Sequence, residues 1–249
     1  MLLSAYLERP FFKSETIVMN SVLPAPNVSA AKSRVVVFGS FYRGFCVLSE
    51  LLSDDITEKL TVVGVATDDS SKRFVSPDKR VWQYPHVKAE EEMVSNLARK
   101  FDIEIYNGNV KTPEFYDIFE NRWKPDLCIM ATFGQKINSR LFEAPHLGFY
   151  NLHPCIDDGW PSHYVGGNPF QMLLNDEKIY SKIAMHRVND GFDTGEFIAY
   201  SDKVFFPAHA SVIDCHKITS PTAGRLAVHE IEKIIDRANC SNCGNTADS

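Results

Sequence analysis

Short apolar runs alternate with amphipathic stretches along most of the chain. Residues 35–38 form a β-branched and aromatic run that ends at Gly39, which is typical of a strand buried in a parallel sheet. Apolar positions at helical spacing follow over residues 44–52, and residues 60–67 predict a second strand. This order indicates two parallel strands joined by a crossover helix.

The stretch over residues 89–100 predicts a helix. Met93, Val94 and Leu97 share one face, and acidic residues come early and basic residues late, as the helix dipole favours. Strands and helices that alternate in this way predict an α/β fold with a Rossmann-like, mostly parallel sheet flanked by helices. The same patterns predict strands over residues 103–106, 127–132, 147–153, 181–188 and 197–206, and helices over residues 112–123 and 223–237.

One domain is expected over residues 34–237, because 249 residues of which 44% are hydrophobic suffice for a single core. Residues 1–33 are interpreted as an N-terminal extension without fixed structure, and residues 238–249 as a polar tail that no further domain follows. Cys240 and Cys243 form a CxxC in this tail without a second pair, so no metal site is predicted.

The charge of the chain restricts its partners. A net charge of −6 and the lack of a basic stripe argue against a nucleic-acid surface. Apolar runs are shorter than the roughly 18 residues of a transmembrane helix, and the first thirty residues lack the core of a signal peptide, so no membrane insertion is expected. Six cysteines without a disulfide framework suit a cytoplasmic protein.

Three polar residues stand where predicted strands end and could together support acyl transfer. The amide of Asn151 can donate to a developing oxyanion, and a protonated His153 can do the same with charge. Asp193 can hold that imidazole charged or accept a proton. Taken singly, such residues are usually caps or satisfied polar groups, so the interpretation needs all three.

The ordered motifs around this trio, which span most of residues 34–206, resemble the folate-dependent formyltransferase superfamily. The motif N-x-H-P occupies residues 151–154, a segment from proline through tyrosine and glycine to proline occupies 161–169, and D-G-F-D-T-G occupies 190–195. A strand and loop at residues 126–135 are similar to those that border the folate pocket in the family. The segment after His153 is longer than the family pattern, and we expect it to carry specificity.

The resemblance implies the formyltransferase fold, 10-formyltetrahydrofolate as the formyl donor, and Asn151, His153 and Asp193 as the catalytic residues. By the same resemblance, the first loop is expected to face the acceptor, as in similar sugar formyltransferases. The implied folate pocket contains Phe133, Gly134, Gln135, Val188, Asp190 and Gly191, and the implied acceptor site contains Phe41, Tyr42, Arg43, Asp157, Trp160 and Tyr164.

Among members of this superfamily, the sequence most resembles the sugar N-formyltransferases. The expected acceptor is the amino group of a nucleotide-linked sugar of the perosamine or viosamine type, used in a surface polysaccharide. A phosphoribosylglycinamide formyltransferase is the second choice. It ranks below the sugar enzymes because its first loop is rich in glycine, whereas residues 41–43 here are bulky. A methionyl-tRNA formyltransferase-like enzyme is the third, and the oligomeric state is left open, with a homodimer as one option.

Other interpretations of the same residues remain. Gly39 and Gly44 faintly resemble a dinucleotide-binding turn, but Phe41 stands where its second glycine is required. Cys155 follows the motif as a candidate nucleophile, yet direct transfer to an amine needs no covalent intermediate with the enzyme. An oxidoreductase and a non-catalytic binding protein are the alternatives from other functional classes.

Overall fold

The computed structural model describes residues 31–72, 81–156 and 159–244. The described residues from Lys32 onward belong to one compact unit. The predicted N-terminal extension therefore lies outside the described residues except for its last three positions, and so does Asp157 of the expected acceptor site.

The described residues form a mixed sheet in the order β3-β2-β1-β4-β5-β6-β7, with β8 paired to β6. The strands from β3 to β5 in this order run parallel, whereas the pairs that involve β6 are antiparallel. This arrangement confirms the predicted α/β fold. The strands are β1 (Ser33–Gly39), β2 (Leu60–Ala66), β3 (Ile105–Tyr106), β4 (Leu127–Ala131), β5 (Gly148–Cys155), β6 (Tyr180–Arg187), β7 (Phe197–Tyr200) and β8 (Val204–Phe205).

Helices connect and flank these strands. A 3-10 turn lies at Val81–Gln83, and a π-helical segment at Ile118–Trp123 continues the helix Pro113–Asp117. The α-helices are α1 (Phe41–Leu51), α2 (Asp54–Thr57), α3 (Lys88–Lys100), α4 (Pro113–Asp117), α5 (Ser139–Phe142), α6 (Pro169–Asn175) and α7 (Val212–Gly244).

The central strand β1 is buried because its run of valines and Phe38 meets apolar side chains on both faces of the sheet. Phe38 packs within an aromatic cluster of the core, with its ring centroid 4.9 Å from that of Phe149 and 6.0 Å from that of Phe115. It also holds Phe133, in the loop after β4, at 5.4 Å. The core therefore fixes the loop that was expected to border the folate pocket.

Strand β5 ends at Cys155, two residues beyond the predicted end at His153, so His153 lies inside the strand rather than at its last position. The parallel pairing with β4 ends at Asn151, but the antiparallel pairing with β6 continues as far as Cys155. Pairing with β6 therefore keeps β5 extended beyond Asn151, where its pairing with β4 has ended. Both side chains nevertheless stand at the carboxyl end of the parallel part of the sheet, where open sheets place ligands.

Other predicted elements differ in their bounds, two of them most clearly. The strand predicted over residues 197–206 is divided into β7 and β8, because the Ser201 hydroxyl accepts the backbone N–H of Ile183 at 2.8 Å and interrupts the ladder. The last helix is longer than predicted and includes residues 238–244 of the expected tail. It packs closely on α1, since a Cβ at Gly224 would lie 2.9 Å from the carbonyl oxygen of Cys46.

Candidate active site

The three predicted catalytic side chains meet at one side of a cavity of about 380 Å³. Asn151 and His153 stand two positions apart on β5, so they project from the same face of the strand. Asp193 comes from the loop after β6 and has a left-handed backbone with φ of 52°. Two neighbouring elements of the sheet thus bring together residues that are some forty positions apart in the chain.

Asp193 is the centre of this contact network. Its Oδ1 accepts a hydrogen bond from Asn151 Nδ2 at 2.9 Å and lies 3.3 Å from His153 Nδ1. Its Oδ2 accepts the backbone N–H of Gly166 at 2.9 Å. Burial raises the pKa of Asp193, but the contacts with His186, His153 and Gly166 outweigh burial and lower this pKa to about 2. The carboxylate is therefore ionised at neutral pH.

His153 has an acceptor beside each ring nitrogen. Nδ1 faces Asp193, and Nε2 hydrogen-bonds the carbonyl oxygen of Tyr164. Burial lowers the pKa of His153 below its ordinary value, and these two acceptors reverse only part of that shift. The ring is poised between two effects, because burial favours the neutral form and the contacts favour the charged form.

A second histidine, His186, belongs to the same network, although the sequence did not single it out. Its position on β6 is directly opposite Asn151 on β5, and its Nε2 lies 3.1 Å from Asn151 Nδ2. Its Nδ1 lies 2.9 Å from the carbonyl oxygen of Arg187. A carbonyl only accepts, so Nδ1 carries a proton. Nε2 accepts from Asn151 when the ring is neutral, and it can donate to Asp193 Oδ1, 3.5 Å away, when the ring is protonated.

Most of the expected folate pocket lines the cavity beside the trio. Phe133, Gly134, Gln135, Val188 and Gly191 border it, whereas Asp190 does not. The Gln135 side chain is engaged in two hydrogen bonds to the backbone: its Oε1 accepts the N–H of Val110 and its Nε2 donates to the carbonyl of Gly108, each at 3.0 Å. Gly134 donates its backbone N–H to Asp68 at 2.6 Å.

The expected acceptor residues are more dispersed. Arg43 lines the cavity, but Phe41 and Tyr42 do not, because α1 begins at Phe41 and its first turn is packed inside the protein. Tyr164 contributes its carbonyl to His153 rather than its ring to the cavity. Trp160 packs on His186 with the ring centroids 4.8 Å apart and the rings tilted by 40°, and its Nε1 donates to the carbonyl oxygen of Gly195 at 2.8 Å.

Within the described ranges, no group of three or more His, Cys, Asp or Glu residues has the arrangement of a metal site. The helices of this part of the chain are also too short or too polar to cross a membrane.

Comparison with known proteins connects this site to one family. A family model described as "Formyl transferase" matches residues 33–213. Methionyl-tRNA formyltransferase from Syntrophomonas wolfei is 32% identical over 106 residues, which is 42% of this chain and 32% of that protein. The enzyme of the same name from Kosmotoga olearia is 26% identical over 160 residues, which is 63% of this chain and 45% of that protein. The matched part thus covers less than half the length of these two relatives.

Solved structures share the fold at low identity. Phosphoribosylglycinamide formyltransferase from Anaplasma phagocytophilum has a TM-score of 0.61 at 11% identity, covering 82% of this chain and 86% of that one. A formyltetrahydrofolate deformylase from Pseudomonas syringae has a TM-score of 0.60 at 16% identity, covering 84% of this chain and 63% of that one. Similarity at this level shows the arrangement of strands and helices alone.

Proposed function

The chain belongs to the formyl transferase family, and we propose that it transfers a formyl group from 10-formyltetrahydrofolate to the amino group of a nucleotide-linked amino sugar. The observation that carries the proposal is the hydrogen-bonded contact of Asn151, His153 and Asp193 at the wall of one cavity. These three groups supply a neutral donor, a titratable donor and a fixed negative charge, which acyl transfer requires.

The cavity is suited to a flat donor. Its volume of about 380 Å³ lies within the usual range of small-molecule sites. Met130, Phe133 and Val188 give it apolar surface, and Gly134 and Gln135 line the same cavity. We place the folate ring on this side, where a glycine leaves room for close approach to the backbone.

The proposed reaction has one tetrahedral intermediate. The neutral amine nitrogen attacks the formyl carbon and forms a new C–N bond, and the carbonyl electrons move onto oxygen. The C–N bond to N10 of the folate then breaks, N10 takes up a proton, and the former amine loses one. Tetrahydrofolate and the formamide are the products. Negative charge develops on a single oxygen, and this is the atom that the site must stabilise.

Asn151 can donate to this oxygen if one of its existing contacts is released. Both hydrogens of the Asn151 amide are engaged, one by the Asp193 carboxylate at 2.9 Å and one by His186 Nε2 at 3.1 Å. The bond to the charged carboxylate is the stronger of the two. We therefore assign the hydrogen that faces His186 to the oxyanion, while Asp193 keeps the amide in orientation.

His153 supplies the charged donor through Nε2 when the contact of that nitrogen with the Tyr164 carbonyl is released, and Asp193, which faces Nδ1, stabilises the charge. The imidazolium becomes more favourable as negative charge grows on the substrate, which opposes the effect of burial on the pKa of His153. Asp193, with a pKa of about 2, is a weak base. The proton lost by the amine is therefore better accepted by water, or by His153 after His153 has given its own proton to N10, than by Asp193.

The amino-sugar acceptor, of the perosamine or viosamine type for a surface polysaccharide, is supported by the resemblance of the motifs. An aminoacyl-tRNA acceptor is the second candidate, because the two relatives compared above are methionyl-tRNA formyltransferases. The net charge of −6 argues against a polyanionic partner of that size. Both acceptors use the same chemistry at the trio, so the acceptor must be decided by assay.

Two measurements test this function. The stable donor analogue 5-formyltetrahydrofolate should raise the melting temperature because it binds the folded state, and NADH should not. Incubation with 10-formyltetrahydrofolate and separate acceptors should then give a formyl mass increment on a nucleotide-linked amino sugar. Methionyl-tRNA and phosphoribosylglycinamide are the comparison acceptors. Stabilisation by NADH alone, or formylation of methionyl-tRNA alone, would contradict the proposal.

A further inference from the structure

One cationic side chain of the cavity, Arg43, has no counter-ion among the described residues. It is only 3% exposed, and no carboxylate is among the groups that shift its pKa. Its Nη1 makes a long contact of 3.3 Å with the Thr132 hydroxyl, while Nε and Nη2 are buried and have no hydrogen-bond partner in the part of the chain that the structure describes. Leaving a guanidinium buried and unpaired is costly, so such a group calls for an explanation.

A second unsatisfied group lies beside the first. His216, on α7, also lines the cavity and is 8% exposed, and its buried Nδ1 has no hydrogen-bond partner within the described ranges. The Arg43 guanidinium lies 5.5 Å from the centre of the Phe170 ring, and the His216 ring lies 4.7 Å from that same centre. One phenyl ring thus holds both polar groups together. Packing of this kind fixes them without satisfying their hydrogen bonds.

The surroundings lower the pKa of both groups. Burial lowers the pKa of Arg43 to about 10, so the guanidinium remains charged at neutral pH. Burial and the charge of Arg43 together hold the pKa of His216 well below its ordinary value. The free protein therefore presents one uncompensated positive charge and one neutral imidazole at this end of the cavity. An anion that entered would gain a charge-assisted bond and relieve the burial cost of Arg43.

The geometry points to a phosphoryl-binding subsite formed by Arg43 and His216, which holds the phosphate or diphosphate of the acceptor. A guanidinium matches two phosphate oxygens at once, which a point charge does not. Trp82 borders the same cavity and packs on Phe41 at 5.7 Å, and His216 packs on that ring at 5.9 Å. An aromatic surface thus lies near the anion subsite, as an acceptor with a diphosphate and a ring would require. The inference rests on the proposed function for the identity of the acceptor, but not for the binding of the anion.

Thermal unfolding of the full chain tests the subsite without any formyl transfer. Inorganic pyrophosphate near saturation, at constant ionic strength, should raise the melting temperature of the wild type by about 5 °C. Arg43→Met should lose this shift, and Arg43→Lys should keep only part of it, because lysine cannot bind two oxygens in the same way. Arg99→Met removes an exposed cation of α3 and should keep the full shift.

The melting temperature without ligand separates binding from a structural role. If Arg43 serves the anion, Arg43→Met should unfold no lower than the wild type, because an unpaired buried charge has been removed. A lower melting temperature together with an unchanged pyrophosphate shift would overturn the proposal. A shift with succinate and none with phosphate or pyrophosphate would also overturn it. If Arg43→Met does not fold, His216→Gln carries the same test and should lose at least half of the pyrophosphate shift.

Failure of this subsite and failure of the proposed function give different results. An enzyme that formylates the amino sugar but shows no pyrophosphate shift dependent on Arg43 would overturn the subsite alone. A protein that binds pyrophosphate through Arg43 but formylates none of the acceptors would overturn the proposed function and leave the subsite.

Discussion

His186 Nε2 and Asn151 Nδ2 lie 3.1 Å apart across the β5–β6 pair, where the two residues are direct partners in the ladder. The contact connects the predicted trio to a fourth side chain whose own orientation is fixed by the Arg187 carbonyl. Asn151 is therefore oriented from two sides, by the Asp193 carboxylate and by this imidazole. In the free protein the imidazole holds the amide hydrogen that we assign to the oxyanion, so the Asn151 amide is already oriented when the substrate binds.

This relationship predicts that His186 acts through Asn151. His186→Phe should lower kcat about tenfold with little change in the KM for the donor, because it removes orientation rather than binding. In an Asn151→Ala background, the same change should have almost no further effect. Steady-state kinetics of both single variants and the double variant measure this coupling. Additive losses would mean that His186 has a separate role in the fold.

The trio itself should be needed for turnover. Asn151→Ala, His153→Ala and Asp193→Ala should each lower kcat by about a hundredfold or more, because each removes charge stabilisation in the transition state. Asn121→Ala removes an exposed amide outside the cavity and serves as the matched control. Release of tetrahydrofolate gives the rate, and the melting temperature shows that the variants are folded. Near wild-type turnover by His153→Ala would exclude the proposed mechanism.

The sequence predicted the strands well because most of them are buried on both faces. Such strands consist of continuous apolar runs, and β1 is the clearest case. The spacing of Asn151 and His153 matches the period of two along a strand, which is why both side chains share one face of β5. Asp193 could be added only through the resemblance of its motif, since nothing in its local pattern distinguishes a catalytic aspartate from a turn residue.

The parts that were not predicted depend on the packing of distant elements. His186 acquires its place from the antiparallel register of β6 against β5, which no local pattern encodes. Phe41 and Tyr42 were expected at the acceptor, but the early start of α1 turns them into the interior. His216 reaches the cavity only because the long helix α7 packs on α1.

His216 should make the stability of the ligand-free protein depend on pH. Its pKa is lowered in the folded state, so the unfolded chain binds the additional proton first as the pH falls below about 6.5. Stability is therefore present above that pH and is lost on acidification towards the folded pKa. Urea unfolding from about pH 7 to about pH 5 should show a smaller loss for His216→Gln than for the wild type. An equal loss in both proteins would show that His216 does not titrate differently on folding.

Arg43 should also lower the affinity of His153 for its proton. A positive charge in the same cavity disfavours the imidazolium, and Arg43 is one of the groups that lower the pKa of His153. Arg43→Met should therefore raise this pKa, as measured by NMR titration of a histidine-labelled protein, and Arg99→Met should leave it unchanged. Pyrophosphate bound to the wild type should act in the same direction. A fall in the pKa of His153 in Arg43→Met would contradict the assigned sign.

Two glycines of one loop should respond differently to the same substitution. A Cβ at Gly195 would lie 1.7 Å from the carbonyl oxygen of Arg187. Arg187 is the last residue of β6, so its backbone cannot shift without moving the neighbouring His186. A Cβ at Gly191 would lie 2.2 Å from the Thr194 hydroxyl, which can rotate away. Gly195→Ala should therefore destabilise the protein by about 3 kcal/mol, and Gly191→Ala by less than about 1 kcal/mol. Urea unfolding measures both values. Turnover should fall most in Gly195→Ala, because the loop that carries Asp193 is displaced. A Gly195→Ala protein with wild-type stability and turnover would show that the close approach of Gly195 to the Arg187 carbonyl is not required.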